Sequence, residues 1–384
     1  MSSPARIVFW GTYDGNQPRI RLLEDGLRLR GCQVFVCHHN VWAGFGDKVA
    51  GLSFFVALRV LWRLLLAYPR LLWAYCRLPT HDVALVSHPG LLDVLLLRPL
   101  VSLRGARLAW DVYVSWYDTL VLDRGVLEPS GIPARLLWHF ERWVWSLVDH
   151  PFADTAAHAA RLEHIFAQPS GRCGRVWVGA ESLFLEASES REKLALQPLN
   201  ILFYGTFLPL HGMPSILAAA RQLAHLPLSW TVIGEGPVAG AIRADLEQSP
   251  LPQWRWRKSV TYEELVTHLG DADLVLGIFG ANAKADSVVP NKVFQALFAG
   301  KSIITRDSAG IRELFAPLPA GLTVVPPDDP AALAEAVEQF FFDFSPSISP
   351  HQYFGVLPEF QPARLAEQFL GVVGAVVDEP QSSI

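Results

Sequence analysis

Little in this 384-residue chain points to metal, disulfide or nucleic-acid chemistry. Its four cysteines, Cys32, Cys37, Cys76 and Cys173, show neither metal-site spacing nor a disulfide framework, so a reducing cytosol fits. A formal net charge of −5 excludes general nucleic-acid binding, which rests on basic surface. The twelve histidines contain no His-Glu-x-x-His pair, and no Gly-x-Ser-x-Gly elbow is present. No internal repeat of about 20–50 residues is visible. A signal peptide is not expected, because Ile7–Trp10 already reads as a first strand.

Negative charge is missing from one long stretch: no acidic residue lies between Asp47 and Asp82. Much of the chain's high hydrophobic content, 51% with 13 tryptophans, gathers there in Leu52–Leu78. Arg59, Arg63, Arg70 and Arg77 sit inside this segment, within about 40° of one another on a helical wheel. A membrane span would bury these arginines in hydrocarbon, which is costly. A helix lying in the interface, arginines toward anionic headgroups, is the cheaper solution. The competing reading is a helix pair packed on the protein's own sheet. Pro69 is expected to kink or split the helix.

Strands and helices alternate through both halves. The first half offers Ile7–Trp10, Gln33–Cys37, Val83–Ser87, Arg107–Val112, Asp149–Ala153 and Arg175–Val178, with helices such as Arg19–Arg30, Leu91–Leu103 and Ala134–Leu147. The second offers Ile201–Gly205, Trp230–Gly234, Trp254–Arg257, Leu274–Phe279, Ser302–Thr305 and Leu322–Val325, with helices Met213–Leu223, Val238–Glu247 and Tyr262–Leu269. Such alternation implies an α/β fold of two Rossmann-like, doubly wound parallel-sheet domains, with a ligand crevice outside the carboxyl ends of the strands. The expected division is 1–180, a polar linker over 181–198, a second domain over 199–345, and a tail over 346–384 whose terminal helix returns to the first domain.

Residues 284–300 are the most telling stretch. A loop carrying Lys284 leads to Pro290 and Asn291, which open a helix ending at Gly300. The unpaired N–H groups of its first turn, with Lys284 and Lys292, make an anion site suited to phosphate. Gly205 permits close backbone approach, and Thr206 and His211 can donate to a phosphate oxygen. Gly234-Glu235-Gly236 follows another strand; with Gly240 it also admits a dinucleotide reading, and Arg255, Arg257 and Lys258 would suit a 2′-phosphate. Asp271 and Asp273 are explained by the strand they precede rather than by a metal. In the first half, the loops Gly11–Asn16 and Trp110–Asp118 supply Gly11, Thr12, Asp14, Arg19, Asp111, Tyr113 and Asp118 as candidates for reaction or acceptor contact.

Together these motifs resemble retaining glycosyltransferases of the GT-B architecture, glycosyltransferase family 4 in particular. The resemblance is most specific over Asn200–Leu314, including Phe203–Gly212, Val232–Gly236, Tyr262–Leu265, Ala272–Leu276 and the Pro290–Gly300 block. It implies two domains facing across a cleft and a nucleotide-diphosphate sugar as donor substrate, with no metal and no further cofactor. Donor contacts fall on Gly205, Thr206, His211, Gly234, Glu235, Gly236, Lys284, Pro290, Asn291, Lys292 and Gln295. Catalytic roles fall on Asp118, Asp111, His211 and Lys284, and acceptor contacts on Gly11, Thr12, Asp14, Arg19 and Tyr113. The acceptor is expected to be a lipid-linked sugar or an oligosaccharide, as in polysaccharide biosynthesis. The protein would be peripheral on the cytoplasmic face of the membrane, with an anionic lipid surface as partner. Where the family commonly carries two glutamates eight positions apart, this chain has Ser287 and Gln295, with Asp286 one residue from the first. A non-catalytic GT-B-like scaffold and an NADP-dependent oxidoreductase are the alternatives.

Overall fold

Six short apolar segments pair side by side in each half of the chain, every pair parallel. The structure, a computed structural model, describes residues 4–15, 17–42, 54–187, 198–344 and 355–375. Asn16, most of the expected linker and the first part of the tail lie outside the described residues. Met1–Val178 with Gln361–Ile384 form unit 1, and Gly179–Phe360 form unit 2.

In unit 1 the strands are β1 (Arg6–Gly11), β2 (Gln33–His38), β3 (Val83–Val86), β4 (Arg107–Asp111), β5 (His150–Ala153) and β6 (Gly174–Arg175), in spatial order β2-β1-β3-β4-β5-β6. Between them run α1 (Pro18–Leu29), α2 (Phe54–Arg77), α3 (Leu91–Leu103), α4 (Ile132–Ser146) and α5 (Ala156–Ile165). Side chains of a strand point alternately to its two faces. Accordingly Val8, Trp10, Ala84, Val86, Leu108 and Trp110 join one core cluster with apolar residues of α2, α3, α4 and α5. On the opposite face α1 packs against α14 (Pro362–Val372), and Phe152 of β5 meets Phe369 of α14 at 5.4 Å. Gly26 permits that approach: a Cβ there would fall 1.9 Å from the Pro362 carbonyl oxygen.

Two expectations for this unit are corrected. Of the two outcomes expected at Pro69, the split does not occur: the helix runs unbroken over Phe54–Arg77. Ala67 on one side of the proline and Leu71 and Tyr75 on the other are all buried in the same core, which holds both segments to the sheet. Strand β6 stops at Arg175 instead of continuing to Val178, because the Val176 and Trp177 carbonyls accept from the Arg19 guanidinium.

Unit 2 repeats the winding with β7 (Leu199–Tyr204), β8 (Leu228–Ile233), β9 (Trp254–Arg257), β10 (Leu274–Leu276), β11 (Ser302–Arg306) and β12 (Leu322–Val325), ordered β12-β11-β10-β7-β8-β9. Its helices begin with α6 (Leu183–Glu186), α7 (Met213–Gln222), α8 (Ala239–Gln248) and α9 (Tyr262–Asp271). They continue with α10 (Ala283–Ser287), α11 (Asn291–Phe298), α12 (Ala309–Leu314) and α13 (Pro330–Asp343). Strand β10 is shorter than the expected Leu274–Phe279. Gly277 lies so close to Thr305 that a Cβ would meet its Oγ1 at 2.3 Å, and the Ile278 N–H turns to that hydroxyl at 3.2 Å. Lys284 stands not on a loop but on α10, whose first turn is capped by the Asn282 side chain accepting from the Ala285 N–H at 2.8 Å.

Candidate active site

In unit 2 the carboxyl ends of β7 and β8 both run into glycine. Gly205 and Gly234 adopt φ of +134° and +153°, and a Cβ on Gly234 would fall 2.0 Å from the Gly205 carbonyl oxygen. Only glycine tolerates that backbone at that separation. Beyond Gly205 the chain buries Phe207 and makes one 3-10 turn, Pro209–His211, which ends at a left-handed Gly212. His211 is thereby folded back toward the strand end. Its Nδ1 lies 3.4 Å from the Leu208 N–H, which donates mainly to the Thr206 carbonyl at 2.8 Å.

The first turn of α11 approaches the same point. A Cβ built on Gly205 would lie 3.4 Å from Lys292 Nζ and 3.6 Å from His211 Cε1, so these three residues converge. Lys292 is 5% exposed. Its ammonium donates to the Gly277 carbonyl at 3.4 Å and sits 3.8 Å over the Phe203 ring. Among the described residues no carboxylate pairs with it. Burial holds the Lys292 pKa well below its ordinary value. Burial, and then the neighbouring Lys292 charge, holds His211 well below the usual imidazole range. Pro290 precedes α11 with extended backbone and no side-chain cap, and the Val293 N–H turns back to the Pro290 carbonyl at 3.0 Å, so the positive end of the helix dipole lies at this point.

Other expected donor residues are placed differently. Thr206 is exposed, and Glu235 pairs with Arg243 at 3.3 Å on the surface. Gln295 is buried with its Oε1 accepting from the Tyr204 hydroxyl at 2.8 Å. Lys284 is half-buried on α10, where the Ser287 hydroxyl donates to its carbonyl at 3.0 Å. Asp286 pairs with Arg306 at 2.9 Å, and Arg306 also donates to the Gly280 carbonyl at 2.6 Å.

Unit 1 gathers a polar cluster at its own strand ends. Arg19 reaches from α1 to Asp111 at the end of β4, its Nε and Nη2 donating at 2.8 and 3.1 Å. Burial alone would push the Asp111 carboxyl up, but Arg19, followed by His88, pulls it down to about 2. The Arg19 guanidinium lies 5.3 Å from the centre of the Tyr113 ring, and His88 lies 5.2 Å from it. Asp118 is buried and takes the Arg161 guanidinium at 2.5 Å. Gly11 and Thr12 sit on Asp93, which accepts the Thr12 N–H at 3.1 Å and its hydroxyl at 3.0 Å. Asp14 accepts from Asn40 at 3.2 Å.

Sequence reasoning missed His88, Asp93, Arg161, Arg306 and the pair formed by Asp154 and His158 (2.5 Å, both buried). His158 Nε2 has no hydrogen-bond partner among the described residues. Position alone could have found His88 and Asp154, since each follows closely on the end of a parallel strand. The arginines gave no local sign of their partners.

Two buried carboxyls of this unit make stability fall with rising pH. Burial raises Asp93 to about 7 against its Thr12 hydrogen bonds, and raises Glu141 to about 7 against the Tyr117 N–H. Both then hold protons in the folded state that the unfolded chain, near pH 4, has already lost. Stability is therefore shed as pH climbs from about 4 to about 7. The melting temperature should drop over that window, and Asp93→Asn with Glu141→Gln should flatten the slope. A wild-type profile already flat there would show that neither group carries its proton.

Residues 198–343 match the family model of glycosyl transferases group 1. Gly205, His211 and Lys292 all lie inside the matched stretch. No curated protein matches the chain. Among solved structures, sucrose-phosphate synthase from Thermosynechococcus elongatus superposes with a TM-score of 0.69 at 13% identity, covering 96% of this chain and 98% of that one. Anabaena Alr3699/HepE in complex with UDP-glucose gives 0.64 at 12% identity, covering 97% and 100%. A glycosyltransferase from Rickettsia africae ESF-5 gives 0.60 at 10% identity, covering 97% and 98%. The fold, two Rossmann-like units with parallel six-stranded sheets, is the GT-B fold of such neighbours.

Proposed function

We propose that the protein is a retaining glycosyltransferase. It moves a sugar from a nucleoside diphosphate sugar to a lipid-linked or glycan acceptor at the cytoplasmic surface of a membrane, in polysaccharide biosynthesis. The observation that carries this reading is Lys292: an ammonium buried with no carboxylate partner among the described residues, beside His211 and the bare backbone of Gly205. A buried charge of that kind is costly unless a counter-ion arrives. A diphosphate supplies one, and the positive end of the α11 dipole favours the same charge. The glycosyl transferases group 1 domain and the UDP-glucose complex of a structural neighbour support the same class of donor.

In the reaction the bond between the anomeric carbon and the diphosphate oxygen breaks, and the acceptor hydroxyl oxygen bonds to that carbon. Its proton passes to the departing phosphate. Lys292, the His211 ring and the α11 dipole stabilise the charge that develops there, without calling on a metal. Asp111 and Asp118 are each tied to an arginine and position the unit 1 loops that meet the acceptor. Helix α2 supplies the membrane contact, as argued from its sequence. Among the described residues no helix is long and apolar enough to cross a membrane.

Thermal stabilisation by a panel of nucleotide sugars, followed by a transfer assay with anomeric configuration read by NMR, tests the reading. A nucleoside diphosphate sugar should raise the melting temperature and be turned over with retention. Binding without turnover would favour a scaffold, and stabilisation by NADPH alone would favour an oxidoreductase.

A further inference from the structure

Exposed large apolar side chains are distributed very unevenly. Of the sixteen among the described residues, eleven stand on α2, α3 and α4, and unit 2 has only Phe342. Monomeric soluble proteins rarely leave contiguous apolar patches of this extent open to water. These three helices cover one face of the unit 1 sheet, so their outer sides look away from it together.

The same pattern is written on two of them. On α2 the outward residues include Leu61, Trp62, Leu65, Leu66 and Trp73, and the arginines at 59, 63, 70 and 77 form a stripe along one border. On α4 Ile132, Leu136 and Trp143 project within about 40° of one another, and Arg135 and Arg142 lie about 80–100° to one side. The three helices themselves expose no carboxylate, and Asp149, at the start of β5, is paired with Arg98 of α3 at 2.7 Å. Helix α2 contains none; Asp93 of α3 is buried against Thr12, and Glu141 of α4 is buried against the Tyr117 N–H.

We infer that α4 is a second membrane anchor, so that unit 1 lies flat on an anionic bilayer through the joint outer face of α2, α3 and α4. The occupant is identified by charge and shape. An apolar crest bordered by arginine, without carboxylate, matches acyl chains below a layer of anionic headgroups. The crest of α4 extends about 16 Å and that of α2 about 22 Å, so contact is made along two lines rather than at one point. A single amphipathic helix can roll about its axis on a surface, whereas two fixed to one sheet cannot. The inference rests on the membrane reading of α2, and its test separates the two.

Cys76 is exposed and the other three cysteines are buried, so a Cys76→Ser background accepts single labels. Leu65→Cys on α2, Leu136→Cys on α4 and Leu29→Cys on the opposite face would each carry an environment-sensitive dye. Vesicles of phosphatidylcholine and phosphatidylglycerol in equal parts should blue-shift the first two labels and leave the third unchanged. Phosphatidylcholine alone should do much less. A shift at 65 without one at 136 would overturn the second anchor while keeping α2. No shift at either would remove the membrane reading altogether. A shift at 136 that appears with rising protein concentration and no vesicles would make the face a self-association surface and overturn the inference. Ile132→Ser with Leu136→Ser and Trp143→Ser should lower vesicle affinity at least tenfold while nucleotide binding is retained; unchanged affinity would also overturn it.

Discussion

Lys292→Met should make the ligand-free protein more stable and its nucleoside diphosphate complex weaker. Methionine fills nearly the same space over Phe203 without a charge to desolvate. Even a buried ion pair is often replaced by apolar side chains with a gain of about 1–4 kcal/mol, and a charge without a partner has no attraction to lose. Losing one charge-assisted hydrogen bond to phosphate removes about 1.5–3 kcal/mol, roughly a ten- to hundredfold rise in Kd. The opposite signs are the point, since a lysine present for stability would fail in both tests the same way.

The pH dependence follows from the depressed Lys292 pKa. Between that folded value and the ordinary lysine value near 10.4, the unfolded chain holds a proton the folded chain has released. Stability of the ligand-free protein therefore rises with pH across this window, and Lys292→Met should abolish that contribution. An arriving diphosphate raises the pKa again, so binding takes up a proton and affinity declines as pH rises through the depressed value. Calorimetry in buffers of different ionisation enthalpy measures that uptake. Equal Kd and equal melting temperature in the two proteins would refute the role given to Lys292.

Arg19→Met should cripple unit 1. The guanidinium is 4% exposed and makes four hydrogen bonds, two to Asp111 and two to the Val176 and Trp177 carbonyls. Removing it strands a buried carboxylate and two carbonyls, and breaking a buried pair this way costs about 3–5 kcal/mol. Adding Asp111→Asn should return part of the loss, and the double-mutant cycle measures the coupling. The same pair sets an acid limit. Asp111 is held down at about 2, so its stabilisation is complete above the unfolded value near 4 and is lost as pH falls through 2. Hydrogen exchange at β4 and β6 reports on unit 1 without interference from unit 2. Protection in Arg19→Met within about 1 kcal/mol of wild type would sink the argument.

Much of the architecture was legible in advance. Each of the twelve expected strand segments contains or overlaps a strand of the structure, because a short apolar run bounded by turn residues has few other ways to satisfy its backbone in a parallel sheet. The misreadings share a cause. Strand β6 ends early because Arg19 claims its carbonyls, and β10 ends early because Thr305 crowds Gly277. Both intruders are distant in sequence. The candidate site was legible as a set of loops but not as a set of contacts. Lys292 and His211 were expected near one ligand, yet nothing in the chain announced that a bare Gly205 would bring them together, or that Gln295 would be held by Tyr204.

What the chain settled unaided was periodic and local: parallel α/β layers, glycine-ended strands, and a proline-led α11. Such features depend on side-chain spacing and backbone preference over a few residues, which are present before any tertiary contact forms. Charge partnership was decided only by the folded units. Arg19 found Asp111, Arg161 found Asp118, Arg306 found Asp286, and Lys292 was buried with no acidic partner among the described residues. A long charged side chain reaches several ångströms in any direction, and what it meets there depends on which strands and helices the topology has brought beside it.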